Sequence, residues 1–289
     1  MHYVIIMRPW QWIKNLIIFI PFILSEKFNS FPILDTFLIF ITFSIFVSAT
    51  YILNDIRDKS LDALHSEKKN RPISAGIISE SNGKIFSFIL LFLSTSAAYF
   101  INSNSIYYLL IYLFVTIIYS RYLKYILFLD TLSIATMFTL RLLIGGVVSD
   151  VAITNYLLLF VFLSSCILSY SKKISILNSN KIHKTNEYLN LLISHNKKIN
   201  FDRIFLIISC LSCTCFYFWS LDLQNNTGGK LQTIYLYIAI FLYVLFCSFV
   251  FKESKKGKVE DFSLVFLKNR KLTLLSFSIL IMFTIGYFW

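Results

Sequence analysis

Apolar runs of about 18 residues or more recur from one end of this chain to the other, and no other feature limits its folding so strongly. Inside hydrocarbon every backbone N–H and C=O must find a partner within its own segment, so such runs become helices. The runs predict spans at about 16–31, 33–53, 84–101, 105–121, 126–147, 153–170, 204–222, 232–250 and 272–289. Composition agrees: 57% of the 289 residues are hydrophobic, 15% are charged and mean hydropathy is +0.70, whereas a soluble domain carries about a quarter charged residues. The expected fold class is all-α membrane: a polytopic bundle of nine transmembrane helices forming a single domain over residues 1–289. The opening MHYVIIMRPWQWIKN shows no small-residue cleavage site, so no signal peptide is expected.

The polar residues are distributed unevenly. With the N-terminus placed in the cytoplasm, all but three of the 27 lysines and arginines fall in cytoplasmic segments. Lys27 and Lys230 lie in outer loops, and Arg141 lies within a span. The positive-inside rule therefore orients the chain with its N-terminus cytoplasmic and its C-terminus outside; a bacterial inner membrane is the expected location. The net charge of +12 sits in loops and comes with no nucleic-acid motif, so nucleic acid is not an expected partner; membrane lipids are. The cysteines, Cys166, Cys210, Cys213, Cys215 and Cys247, all fall in apolar segments and are expected to pack rather than to bind metal.

The most polar stretch, YILNDIRDKSLDALHSEKKNRPISAG, follows the second span directly. Asn54, Asp55, Asp58 and Asp62 fall within an arc of about 100° on a helix. Carboxylates stacked on one face repel one another, more so at a membrane mouth. A divalent cation relieves that repulsion, and an oxygen-only donor set suits Mg²⁺ or Mn²⁺. Mg²⁺ is held by one or two carboxylates together with substrate phosphates, which predicts a diphosphate bridged to this helix. The alternative is a solvated helix end with its aspartates paired to Arg57, Lys59 and Lys68.

This stretch resembles the first Asp-rich motif of the UbiA-type intramembrane prenyltransferases, including the tail around RPISAG. RPWQWIKN and YSRYLKYILFLDTLSIATMFTLR are similar to one branch, the decaprenyl-phosphate phosphoribosyltransferases, over about residues 8–175. Other members of the superfamily transfer a prenyl group from its diphosphate and carry a second Asp-rich motif between spans six and seven. Here that loop holds only Glu187 and Asp202 as acids, far apart, and is dominated by lysine. The Lys172–Lys173 pair is similar to the branch's basic pair, although the acidic residue expected shortly after it is missing.

The resemblance implies Mg²⁺-dependent transfer of 5-phosphoribosyl from phosphoribosyl diphosphate to a polyprenyl phosphate at the cytoplasmic face. Asp55, Asp58, Asp62 and Lys124 are the candidate catalytic residues, with Asn54 completing the metal set. Lys14, Arg71, Lys172 and Lys173 stand at cytoplasmic helix ends as candidate phosphate contacts. Tyr119 is a further phosphate contact and Asp130 a sugar contact. Arg141 is expected to be structural, and His65 a solvated loop residue. A homo-oligomer is allowed. The rival readings are a prenyl-diphosphate-dependent transferase acting on a small acceptor and, from another class, a transporter or flippase. The latter is disfavoured by ionisable groups gathered on one face.

Overall fold

The computed structural model describes residues 2–24, 32–64, 68–178, 199–226, 233–259 and 269–288. Every element among them is helical. Seven helices are long and apolar enough to cross a membrane, and Ser105–Arg121 is a shorter apolar helix. By Cα proximity the described residues divide into two compact units, one up to Ile153 and one from Thr154 onward.

The first unit contains α1 (His2–Met7), α2 (Phe19–Ile23), α3 (Pro32–Arg57), α4 (Lys59–Leu64), α5 (Glu80–Ile101), α6 (Ser105–Arg121) and α7 (Leu127–Ser149). Helix α3 opens on a proline, whose fixed φ suits the first turn, and on Asp35 beside the positive end of the helix dipole. Ser79 starts α5 by accepting the Asn82 backbone N–H at 3.2 Å. Helices α3 and α7 are the buried ones, and α5 packs along α3 with most of its surface exposed. Their shared core gathers Ile18, Ile39, Phe43, Phe46, Leu109, Leu140 and Ile144. Small hydroxyls on α3 are buried without loss: Ser44 and Ser48 donate to the carbonyls of Phe40 and Ser44.

The first predicted span, 16–31, begins in the last residues of a 3-10 helix and continues as α-helix to Ile23. Residues Pro9–Ile18 form a 3-10 helix, followed by the short α2, which contains Pro21. Proline at residues 9 and 21 removes backbone donors, and polar Gln11 and Asn15 are buried among the apolar positions. The rest of that span, residues 25–31, lies outside the described residues.

The second unit contains α8 (Asn155–Asn178), α9 (Phe201–Asn226), α10 (Thr233–Lys255) and α11 (Arg270–Phe288). Helix α9 packs on α8, and α10 packs on α8 and α11. Stacked aromatic rings fill this unit, with centroids 4.7 Å apart for both Phe160–Phe216 and Trp219–Phe283. Among them three hydroxyls close a ring of hydrogen bonds: Ser164 to Ser212 at 3.1 Å, and Tyr243 to each at 2.7 Å. Helix α8 runs past the predicted end near residue 170 because Ile174 and Ile176 continue its buried face. Lys172 and Lys173 therefore lie within the helix and not in a loop. The following loop segment, residues 179–198, lies outside the described residues, as do His65, His183 and His195.

Candidate active site

The aspartates begin in the last turn of α3. Helical register continues through the break into α4, since the Asp58 N–H donates to Asn54 O at 2.9 Å and the Asp62 N–H to Asp58 O at 2.8 Å. The predicted stripe therefore survives a change of helix. Asp55 and Asp62 are buried, at 2% and 4% exposure, which in an apolar chain demands cationic partners.

Cations reach the three aspartates from three other segments. A 3-10 turn, Lys68–Asn70, leads into Arg71 and buried Pro72. Backbone bonds from Ala75 to Arg71 and from Ile78 to Pro72 fold the segment back, with Gly76 taking φ 75° at the turn. Ile73 and Ile78 anchor it in a core with Ile6, Ala49 and Ile52. Arg71 Nη1 thereby reaches Asp55 Oδ1 at 2.9 Å and Asp62 Oδ2 at 2.5 Å. Lys68 Nζ stands 3.9 Å from Asp62. Between α6 and α7, the 3-10 turn Leu123–Tyr125 aims Lys124 Nζ at both Asp58 oxygens, at 2.8 and 3.0 Å. Asn54 Nδ2 donates to Asp58 Oδ2 at 3.2 Å.

The third segment supplies a residue that the sequence reading did not single out. Arg8 pairs with Asp55 Oδ1, and its guanidinium lies 5.4 Å from the Tyr51 ring centroid. Its backbone is left-handed, with φ 53° and ψ 60°, directly before Pro9. Few non-glycine residues adopt that geometry, and residues before proline favour extended backbone, so the fold holds Arg8 in a costly conformation. The available signal was an arginine opening RPWQWIKN.

The other predicted residues separate into groups. Tyr119 donates to Asp130 Oδ1 at 3.0 Å, joining the two predicted substrate contacts to each other. Lys14 is half-buried on the 3-10 helix, one position before buried Asn15. In the second unit, Lys172 is exposed and Lys173 is 2% exposed, its Nζ 5.1 Å from the Tyr170 ring centroid. Lys59 pairs with Glu80 at 2.9 Å and not with the aspartates. Asp130 and Arg141 do not meet: Arg141 is buried and donates to Asn15 Oδ1 and Tyr112 OH.

Whether these donors suit a divalent cation can be tested on the geometry. Among the described residues, no three His, Cys, Asp or Glu side chains converge on one point. Two carboxylates do: Asp55 and Asp62 each lie within hydrogen-bond distance of the same Arg71 nitrogen. A hard cation that takes one or two carboxylates and completes its shell with phosphate and water needs no more, so the donors fit.

Residues 15–269 match the UbiA prenyltransferase family. The decaprenyl-phosphate phosphoribosyltransferase of Mycolicibacterium smegmatis is 28% identical over 171 residues, covering 57% of this chain and 54% of that protein. An uncharacterized protein of Sinorhizobium fredii is 34% identical over 168 residues, covering 58% of this chain and 33% of that protein. The chain thus spans about half or less of the length of these relatives. The structure of a UbiA homolog from Archaeoglobus fulgidus bound to GPP and Mg²⁺ superposes with a TM-score of 0.72 at 15% identity, over 99% of this chain and 98% of that one.

Proposed function

Because the chain belongs to the UbiA prenyltransferase family, we propose that it transfers 5-phosphoribosyl from phosphoribosyl diphosphate to a polyprenyl phosphate at the cytoplasmic membrane face. The observation that carries this reading is the convergence of Asp55 and Asp62 on Arg71 beside Asp58 on Lys124, an alternation of acids and cations suited to a metal-bound diphosphate. The named relatives and the lysine-rich loop without a second Asp pair favour phosphoribosyl over prenyl transfer.

In this reading Asp55 and Asp62 would hold Mg²⁺, with Asn54 and Asp58 beside them, and the ion would neutralise diphosphate charge as a Lewis acid. Arg8, Arg71 and Lys124 exchange carboxylate for phosphate oxygens, so positive charge stands where the leaving group becomes more negative. Asp130, oriented by Tyr119, accepts from a sugar hydroxyl. A lipid phosphate oxygen forms the new bond to the anomeric carbon while the bond to diphosphate breaks, and diphosphate departs with the electron pair. The attacking phosphate is already ionised, so no general base is needed. In-line displacement inverts the anomeric centre. Lys14 serves as a further phosphate contact.

The test supplies solubilised protein with radiolabelled phosphoribosyl diphosphate and polyprenyl phosphate, with and without Mg²⁺. Label should enter the lipid fraction only with the metal. Consumption of prenyl diphosphate, with no label in the lipid, would replace the assignment with prenyl transfer.

A further inference from the structure

Arg141 raises a separate question. It lies within α7 at 3% exposure, and among the described residues no carboxylate pairs with it. Its guanidinium is spread over neutral partners: Nε to Asn15 Oδ1 at 2.7 Å, Nη2 to Tyr112 OH at 3.0 Å, and Nη1 to the Met137 carbonyl. The rings of Phe43, Tyr112 and Phe138 stand 5.5, 5.1 and 5.0 Å from it. An uncompensated intramembrane charge is costly, so a stable fold keeps one only where it secures something.

What it secures is the 3-10 helix Pro9–Ile18. Ten residues is long for this helix type, whose hydrogen bonds are poorer than those of an α-helix and which seldom exceeds three or four residues. Tertiary contacts must hold it in shape. Asn15, 1% exposed, accepts from Arg141 and donates to Ser44 Oγ at 2.9 Å, tying α7 to α3 through one amide. One turn earlier, Trp12 Nε1 donates to Ser48 Oγ at 3.0 Å. At the far end α7 meets the chain so closely that a Cβ at Gly145 would lie 2.2 Å from the Ile18 carbonyl oxygen. The opposite end of this fastened rod is Arg8, in its left-handed conformation and paired with Asp55.

We infer that Arg141 and Asn15 are positioning residues, which act through the 3-10 helix to hold the Arg8 guanidinium against Asp55. The link to catalysis rests on the reading proposed above; the mechanical link does not. Asn15→Leu keeps the buried volume and removes both hydrogen bonds. Tyr112→Phe removes one bond to Arg141 without touching the 3-10 helix.

The experiment labels purified protein in lipid nanodiscs with phenylglyoxal and follows each arginine by mass spectrometry, using exposed Arg57 as the internal reference. Labelling of Arg8 should quicken by about threefold or more in Asn15→Leu and stay at the wild-type rate in Tyr112→Phe. Should Asn15→Leu fail to accumulate, Ser44→Ala is measured in its place, with a smaller rise expected. An unchanged Arg8 rate, or an equal rise in Tyr112→Phe, overturns the inference. If Arg8 responds as expected while the wild type transfers no phosphoribosyl group, the anchoring stands and the substrate assignment falls.

Discussion

Polar side chains are buried in both units, and they are satisfied in opposite ways. In the second unit Ser164, Ser212 and Tyr243 satisfy one another with three neutral hydrogen bonds between helices. In the first unit Asp55, Asp58 and Asp62 are satisfied chiefly by cations brought from other segments, with Asn54 adding one neutral donor to Asp58. A neutral knot has nothing to offer a charged ligand and serves to fasten helices. A set of ion pairs can trade partners, because a phosphate replaces a carboxylate on arginine at little cost in geometry. Burial alone does not mark a site; burial with exchangeable charge does.

The contrast can be broken most forcibly at Asp58. Replacing it with alanine should lower phosphoribosyl transfer by about 10² or more, with chromatographic behaviour and unfolding midpoint retained. Turnover near wild type would leave the carboxylates a purely structural role. A smaller effect of the opposite kind is expected from Tyr243→Phe, which opens the knot. It should cost about 1 kcal/mol in a denaturant titration while turnover stays within about twofold of wild type. A collapse of turnover in a folded Tyr243→Phe protein would erase the distinction between the two regions. The least effect should come from Lys59→Ala, which breaks an exposed ion pair with Glu80 (39% and 47% side-chain exposure) and should not measurably move the unfolding midpoint.

The sequence made the stripe legible but not its partition. The spacing of Asn54, Asp55, Asp58 and Asp62 places them on one helical face, and hydrogen bonds carry that register across the break after Arg57. Their cations are separated from them by 47, 16 and 66 residues. No local periodicity reveals which of the 27 basic residues will arrive. Arg8 passed for one more cytoplasmic charge for that reason. The 3-10 helix ahead of α2 was not legible because hydropathy registers apolar content and is blind to whether the backbone is α or 3-10. Helix α8 was cut short by the opposite error: Lys172 and Lys173 lower hydropathy without ending a helix, as lysine is a good helix former.

Helix α3 has a further consequence for any membrane-bound acceptor. Measured from Pro32, Asp55 stands about 35 Å along the axis at 1.5 Å per residue. The oily slab of a bilayer is about 30 Å thick, so an upright α3 delivers Asp55 into the headgroup layer. A lipid's own phosphate already resides at that depth, and in the proposed reaction the acceptor meets the carboxylates by lateral diffusion alone, without being lifted from its leaflet.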